Sequence, residues 1–534
     1  MIHSKIPLSE TNLISPIVKD YLAQVHSLKP FYNEPNAIEG YQKLILERNF
    51  AEEKRVILYQ SLLKQYEETG LSFERFHELG ANLSLLKESN TFTVTTGHQL
   101  CLYGGPLFLT YKILTTIKLC SELKKEYRDF NFVPVLWLAS EDHDFEEINH
   151  IHLYGADFKW DKESHNKPVG TLDLGGLKED VERISLLINN KNETGKNWIK
   201  LIEDAYLKSS NLSEASIKIY TEIFKSYGLI VLDPNRTEYK QQLIQVMKAD
   251  ILKQCSFHAQ TNTDKILAEK YKLKINAREI NFFYLHHSLG RKIIRKVEDN
   301  FFLAGSDIKF SVSEMEHEIE NYPERFSPNV NLRPVFEEII LPNLAYVGGP
   351  AEVAYWLQLK PIFDYYEVRF PVVILRAMNL LAGKPFIEKV EKTGIQINQF
   401  IGSELELLQA YYKQEKKLDF LESFHVILEE FQKIVDGSKK IDQEVSKALL
   451  ETKLSLKDFF KQKNRDLKKS IGNNEAGEIE KIVKLRSKIF PKDVFQERMD
   501  TLLQHEVNAD RNLLSILYDE MDVFENNLVV SVIS

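Results

Sequence analysis

The sequence predicts an α/β protein organised around an open parallel sheet, and three features of one stretch carry that prediction. A β-branched run, Thr91 to Thr96, stops at Gly97. A helical repeat follows, with Leu107, Tyr111, Leu114 and Ile117 recurring at the spacing of one helix face. A second apolar run, Val133 to Ala139, then ends in Ser140-Glu141-Asp142-His143-Asp144. Strand, helix and strand in this order form a β-α-β unit of parallel-sheet type. Ligands of such sheets bind beyond the carboxyl ends of the strands, so the two polar strand ends are expected to share one site.

Before this unit, Leu44, Ile45, Val56, Leu58, Leu62, Leu63 and Tyr66 alternate with charges and read as helices. Within it, Gly104-Gly105-Pro106 puts Pro106 at the first helical position, where its missing N–H would be unpaired in any case. Lys124 and Lys125 complement the dipole at the helix end. From Tyr154 to Asn211 the chain is polar and broken by Gly170, Gly175 and Gly176. Gly228 to Asp233-Pro234 reads as a short buried strand with a stop, followed by helix from Glu238. Residues 272–312 alternate apolar and polar, with hairpin signals at Ser288-Leu289-Gly290, Glu298-Asp299-Asn300 and Gly305-Ser306-Asp307. Leu344 to Val347 leads into a second Gly-Gly-Pro, at 348–350, and a helix, and Phe370 to Leu375 is a further strand.

The C-terminal part changes character. Leu418, Leu421, His425, Leu428, Phe431 and Val435, then Ile441, Val445, Ala448, Thr452 and Leu456 after a break at Asp436-Gly437-Ser438, predict an antiparallel coiled coil. Ile471 to Asn474 ends its second helix, and a final helix starts at about Asn508.

A chain of 534 residues is expected to form two or three units. Its 43% hydrophobic and 28% charged content is that of a soluble globular protein. No apolar run approaches the roughly 20 residues of a membrane helix, and Met1 to Glu10 lacks the basic and apolar parts of a signal peptide. A cytoplasmic location without membrane contact is expected. Cys101, Cys120 and Cys255 are too widely spaced for a zinc ribbon or redox motif. A net charge of -9 argues against an extended nucleic-acid surface.

Four ionisable side chains directly after an apolar strand are costly to bury without partners, so Glu141, Asp142, His143 and Asp144 are either solvated or hold a ligand. Their strand-end position favours a ligand, such as an amine to be oriented or deprotonated. A metal held by Asp142, His143 and Asp144 with His150 or His152 is the alternative, but the spacing matches no standard zinc signature. The Gly-Gly-Pro helix starts (Gly104, Gly105 and Gly348, Gly349) offer N–H groups and dipole ends to an anion. Arg333 offers a bidentate grip or a structural ion pair, in a loop where Pro328 and Pro334 fix the backbone around Asn329. Glu352 is placed to cap its helix or to meet substrate. Tyr355 and Trp356 read as core, and nothing near Cys101 activates it as a nucleophile.

Four motifs carry a resemblance: T-T-G-H-Q-L-C-L-Y-G-G-P-L-F-L-T-Y-K, P-V-L-W-L-A-S-E-D-H-D-F-E-E-I-N-H, F-S-P-N-V-N-L-R-P and L-P-N-L-A-Y-V-G-G-P-A-E-V-A-Y-W. In this order they resemble the bacillithiol-biosynthesis cysteine-adding enzymes, the BshC family, over essentially the whole chain. The resemblance implies a Rossmann-type core like that of class I aminoacyl-tRNA synthetases, two connecting insertions, and a C-terminal antiparallel coiled coil that makes a homodimer. The implied parts are 1–153 and 212–271 for the core, 154–211 and 272–325 for the insertions, 326–384 for the second half of the core, and 385–534 for the coiled coil with a segment returning to the core.

The implied activity is that of a ligase adding L-cysteine to glucosaminyl-malate, the last step of bacillithiol synthesis, through an activated carboxylate with ATP or ADP as the nucleotide. Glu141, Asp142, His143 and Asp144 are then expected in catalysis. Gly97, His98 and Gln99, which look like a degenerate synthetase signature, are expected to bind substrate or phosphate with Gly104, Gly105, Asn329, Arg333, Gly348, Gly349 and Glu352. A second nucleotide-contacting set would be Asn149, Lys384, Phe490, Pro491, Lys492, Gln496 and Arg498. The rivals are a synthetase-like enzyme that charges RNA and a non-catalytic coiled-coil scaffold. Against the first stand the negative charge and the lack of a Lys-Met-Ser-Lys-Ser type loop, for which Gly437-Ser438-Lys439-Lys440 is a poor substitute.

Overall fold

The threonines of the first core strand, Thr91–His98, explain how a polar run lies at the centre of a sheet. Thr93, Thr95 and Thr96 are buried, and each hydroxyl donates across to the neighbouring strand: Thr93 and Thr95 to Asn343 Oδ1 (3.2 and 2.9 Å), Thr96 to the Val347 carbonyl (2.7 Å). The computed structural model that shows this describes residues 2–188, 192–414, 419–438, 442–470, 473–509 and 512–533; residues 412–414, 419–423, 425, 464–470 and 473–476 are described by backbone alone. The chain divides into two units. Met1–Ser9, Leu13–Asn379 and Glu497–Val529 form the first, and Glu10–Asn12, Leu380–Gln496 and Val530–Ser534 the second.

The first unit holds a five-stranded parallel sheet in the spatial order Val372–Leu375, Asn343–Gly348, Thr91–His98, Asn131–Leu138, Ile230–Leu232. The chain starts at the centre, moves outward over two strands, then crosses back to the other side of the first strand. This is the doubly wound order, whose switch point lies between Thr91–His98 and Asn343–Gly348. All five strands are buried almost throughout, which is why they read as continuous apolar or β-branched runs instead of alternating ones. Register pairs Gly97 with Trp137 and Gly348 with Leu375, so the strands end level with one another.

The helix after the first strand is Leu107–Glu126. Pro106 stands one position earlier than expected, as its extended N-cap (φ -73°, ψ 158°), while Pro350 does occupy the first turn of Pro350–Tyr365. Lys124 serves the helix end as expected, donating to the Arg128 and Phe130 carbonyls. The glycine-broken 154–211 stretch contains more helix than its composition suggests, in Leu177–Ile188 and Glu193–Tyr206. Their buried Leu177, Val181, Ile184 and Ile188 carry the helical period that the glycines mask. Strands Phe282–His286, Gly290–Val297, Asn300–Leu303 and Lys309–Ser311 form antiparallel hairpins, and Phe326–Pro328 joins their edge. The chain then enters helix Arg333–Ile340.

In the second unit, helices Asp419–Ser438 and Gln443–Ser470 pack as an antiparallel pair, with the Phe424 and Phe460 rings stacked at 4.1 Å. Leu418 and Ile441 lie outside the described residues, as do Lys439, Lys440, Ile471 and Gly472. Asp436, Gly437 and Ser438 do not break the first helix: Ser438 back-bonds to the Val435 carbonyl as its last turn. Asn473 and Asn474 open a further helix, Asn473–Ile489, instead of closing the previous one. The final helix expected near Asn508 is two short ones, Leu502–Asn508 and Leu513–Glu520. Among the described residues no helix is long and apolar enough to cross a membrane.

Gly105 has φ +70°, and a Cβ there would stand 2.8 Å from the Cys101 Cβ. Gly105→Ala should therefore cost about 1–3 kcal/mol. Gly477, in open space within a helix, should as Ala gain about 1 kcal/mol. Urea unfolding of the two variants checks both signs.

Candidate active site

The carboxyl ends of the strands enclose a cavity of about 260 Å³ at the switch point. Gly97, His98 and Gln99 line it from the first strand, Trp137 and Ala139 from the second, Tyr346 and Gly349 from the fourth, and Arg376 from just past the fifth. Helix Pro350–Tyr365 adds Pro350, Ala351, Glu352 and Tyr355, and helix Arg333–Ile340 adds Arg333, Pro334 and Glu337. A buried lysine organises this chamber. Lys112 donates to the Gly97 carbonyl (2.5 Å) and to Glu352 Oε2 (2.8 Å). Glu352 also accepts from Tyr346 OH (2.6 Å) and caps its own helix through Gly349 N–H (2.8 Å). Burial alone would raise the Glu352 carboxyl, but Lys112 and these hydrogen bonds outweigh it and hold the group below its ordinary value.

His98 Nδ1 lies 3.0 Å from the Gln99 carbonyl. A carbonyl only accepts, so Nδ1 carries the proton and Nε2 presents a lone pair. Burial first, and Lys112 second, push the imidazole down to about 4, so it is neutral at physiological pH. A neutral ring in this tautomer accepts at Nε2, which suits an N–H or O–H group and not a phosphate oxygen. The Arg376 guanidinium, 1% exposed, grips Glu497 through both terminal nitrogens (2.8 and 2.5 Å) and leaves Nε–H without a partner. Its Nε stands 3.8 Å from where a Cβ on Gly349 would be, beside the N-terminus of a 16-residue helix. With Arg498, which lies over the same Phe108 ring as Arg376, this end of the chamber fits an anion.

A second, outer cavity of about 930 Å³ shares Gln99, Glu147, Val330 and Arg333 with the inner one. Its organising group is Asp142. One carboxylate oxygen accepts from Arg291 (3.1 Å) and from the His143 N–H (2.8 Å), and the other from Arg333 (3.1 Å). Burial would raise this carboxyl; His143 and the two guanidinium groups hold it well below the usual carboxylate range. Arg291 is fixed further by the Ser327 hydroxyl, the Pro328 carbonyl and the face of Phe283, 3.9 Å away, and donates to His143 Nδ1 (3.1 Å).

Several expected residues lie elsewhere. Glu141 is buried and paired with Lys240, away from both cavities. Asp144 is exposed on the outer cavity's rim. Gly104 and Gly105 line neither cavity, and the N–H of Leu107 is taken by the Asp500 carbonyl, so this Gly-Gly-Pro is a turn and not an anion cradle. Asn329 does line the outer cavity, but its side chain is spent on Asn281 and on the N–H groups of Asn331 and Leu332, fixing the loop. Asn149 is buried, its carbonyl bound by Trp160 N–H. Arg498 belongs to the first unit, whereas Lys384, Phe490, Pro491, Lys492 and Gln496 belong to the second; there Gln496 pairs with both backbone groups of Leu381. His152 is held by Asp157, and among the described residues no three His, Cys, Asp or Glu side chains converge on a metal position. Tyr355, expected in the core, lines the inner cavity, and burial pushes the Cys101 thiol up to about 12.

Lys112, Arg291, Glu337, Arg376 and Glu147 were not singled out from the sequence. A signal existed for two of them. Lys112 is a lone cation in an apolar helix face, and Glu337 is four residues after Arg333, which puts both on one face.

Two family models match the chain: "Bacillithiol biosynthesis BshC, N-terminal Rossmann-like domain" over residues 1–377, and "Bacillithiol biosynthesis BshC, C-terminal coiled-coil domain" over 380–532. The chain is 35% identical over 527 residues to a protein of Flavobacterium johnsoniae (98% of each chain) and 34% identical over 533 residues to one of Christiangramia forsetii (98% of each). It is 29% identical over 397 residues to one of Natranaerobius thermophilus (71% of each). All three carry the name "Putative cysteine ligase BshC". The chain belongs to the bacillithiol-biosynthesis BshC family and is a ligase with a Rossmann-like and a coiled-coil domain.

Asp142→Asn leaves Arg291 and Arg333 facing an amide, which should cost about 3 kcal/mol at neutral pH. The Asp142 carboxyl is depressed in the fold, so its contribution is present above its unfolded value and lost as pH falls. The gap in melting temperature between wild type and variant should begin to close below about pH 4.

Proposed function

We propose that the chain is a cytoplasmic enzyme that joins the carboxylate of L-cysteine to the amine of glucosaminyl-malate, the last step of bacillithiol synthesis. The observation that carries this reading is a pair of cavities that share Gln99, Glu147, Val330 and Arg333, which supports a separate position for each substrate. The inner chamber offers carboxyl groups and a neutral imidazole beside an anion-accepting helix end. This set suits an amino acid whose carboxylate is being activated. The outer cavity presents Arg278, Arg291 and Arg333 together with Asp144, Glu146 and Glu147. Groups of both signs match an acceptor that bears an amine and two carboxylates.

Activation would be supplied by ATP, whose phosphates fit the Gly349 helix end, Arg376 Nε–H and Arg498. The protein's own part is to hold the carboxylate at that end, to receive the acceptor amine near His98 Nε2, and to exclude water by the walls of Trp137, Phe108 and Tyr355. The exposed Val426, Ile434, Val445 and Leu454 of the paired helices support self-association; a monomer in sedimentation equilibrium would overturn that part.

The test is mass spectrometry of reactions with cysteine, glucosaminyl-malate and ATP, singly and together. A product heavier than the acceptor by one cysteinyl residue should form only with all three, with AMP. Gly97→Ala is a clean probe, because its new methyl makes only ordinary contacts, 3.5 Å from Tyr346 OH and 3.7 Å from Glu337 Oε1, yet lies in the chamber. It should keep the wild-type melting temperature and lose at least about tenfold in rate, on the order of 1.4 kcal/mol. A wild-type rate would remove the inner cavity from the mechanism.

A further inference from the structure

Three carboxyl groups line the inner cavity, those of Glu147, Glu337 and Glu352. Glu352 is committed to Lys112, Tyr346 and the helix cap, and Glu147 is shared with the outer cavity. Glu337 differs from both. It is 3% exposed, and its Oε1 has no hydrogen-bond partner. That oxygen lies close under Gly97, as the 3.7 Å distance to a Cβ built there shows, at the very end of the first core strand. The nearby cations are engaged elsewhere, Arg333 with Asp142 and Lys112 with Glu352 and the Gly97 carbonyl. A buried carboxyl oxygen that satisfies nothing within the protein is costly, and a ligand cation placed there removes the cost.

We propose that Glu337 receives the α-ammonium group of the amino-acid substrate. The proposal rests on the ligase reading and deepens it by fixing which end of the amino acid lies where. The groups facing Glu337 are Glu338 on its own helix, Arg333 one turn earlier, and Glu352, Lys112 and Tyr346 across the chamber. Burial first, then the charges of Glu338 and Glu352, hold the carboxyl well above its ordinary value against the opposing pull of Arg333 and Lys112. An ammonium on Oε1 pairs with the carboxylate and gives that oxygen the partner the protein does not supply. The amino acid's carboxylate is then left for Arg376 and the Gly349 helix end.

Calorimetric titration of L-cysteine and of 3-mercaptopropionate into the full-length protein tests this placement. Glu337→Gln should bind cysteine at least about tenfold more weakly than wild type. The affinity of 3-mercaptopropionate, which keeps the thiol and carboxylate but lacks the amine, should be the same for both proteins. Equal cysteine affinity in wild type and variant overturns the role of Glu337 and leaves the ligase reading standing. Wild type that binds no cysteine at all overturns both.

Discussion

The carboxylate of Asp142, shared between two guanidinium groups, is the interaction on which the site depends. It joins three parts of the first unit: the end of the second core strand, the antiparallel sheet through Arg291, and the helix of Arg333. One negative charge between two positive ones leaves a surplus positive charge in a half-closed space. Burying such groups is expensive unless each donor and acceptor finds a partner, and here the Ser327 hydroxyl, the Pro328 carbonyl and the His143 N–H complete the set. The result is a fully partnered set of charges bordering the outer cavity, with Arg333 reaching the inner one as well. Lys112 plays the corresponding part inside, where it fixes the carbonyl of Gly97 and orients Glu352 at once.

The parallel sheet was legible because its strands are buried on both faces and their turns carry glycine and proline. Which side chains after the second strand reach the cavity was not legible. Glu141 and Asp142 are adjacent, yet one is drawn inward by Lys240, 99 residues away, and the other by Arg291 and Arg333, 149 and 191 residues away. Beyond a strand end the period of two no longer dictates direction, and the partners that do are set by tertiary structure. Asp142 and His143 thus line the outer cavity, and Glu141 does not.

The two Gly-Gly-Pro motifs make the same point through the backbone. At Gly104 and Gly105 φ is +89° and +70°, a conformation for which glycine is needed, and the turn closes onto Cys101. At Gly349 φ is -76°, any residue's conformation, and glycine serves there to keep the helix end open toward Arg376. Identical tripeptides therefore sit in different backbone conformations, and the sequence, which offered both to an anion or to a plain turn, does not distinguish them. Glu337 was missed for a related reason: a carboxyl oxygen without a hydrogen-bond partner leaves no pairing pattern in the sequence, only the spacing of its residue from Arg333.

Locating the amino acid directly would test the account at its centre. Crystals soaked with selenocysteine, whose selenium is found by anomalous scattering, place the ligand without relying on activity. The account predicts one selenium peak inside the chamber bounded by Gly97, Tyr346 and Glu337, with the amino group on Glu337 and the carboxylate toward Gly349 and Arg376. A peak in the outer cavity with the inner one empty, or the reverse orientation in the inner one, would contradict it.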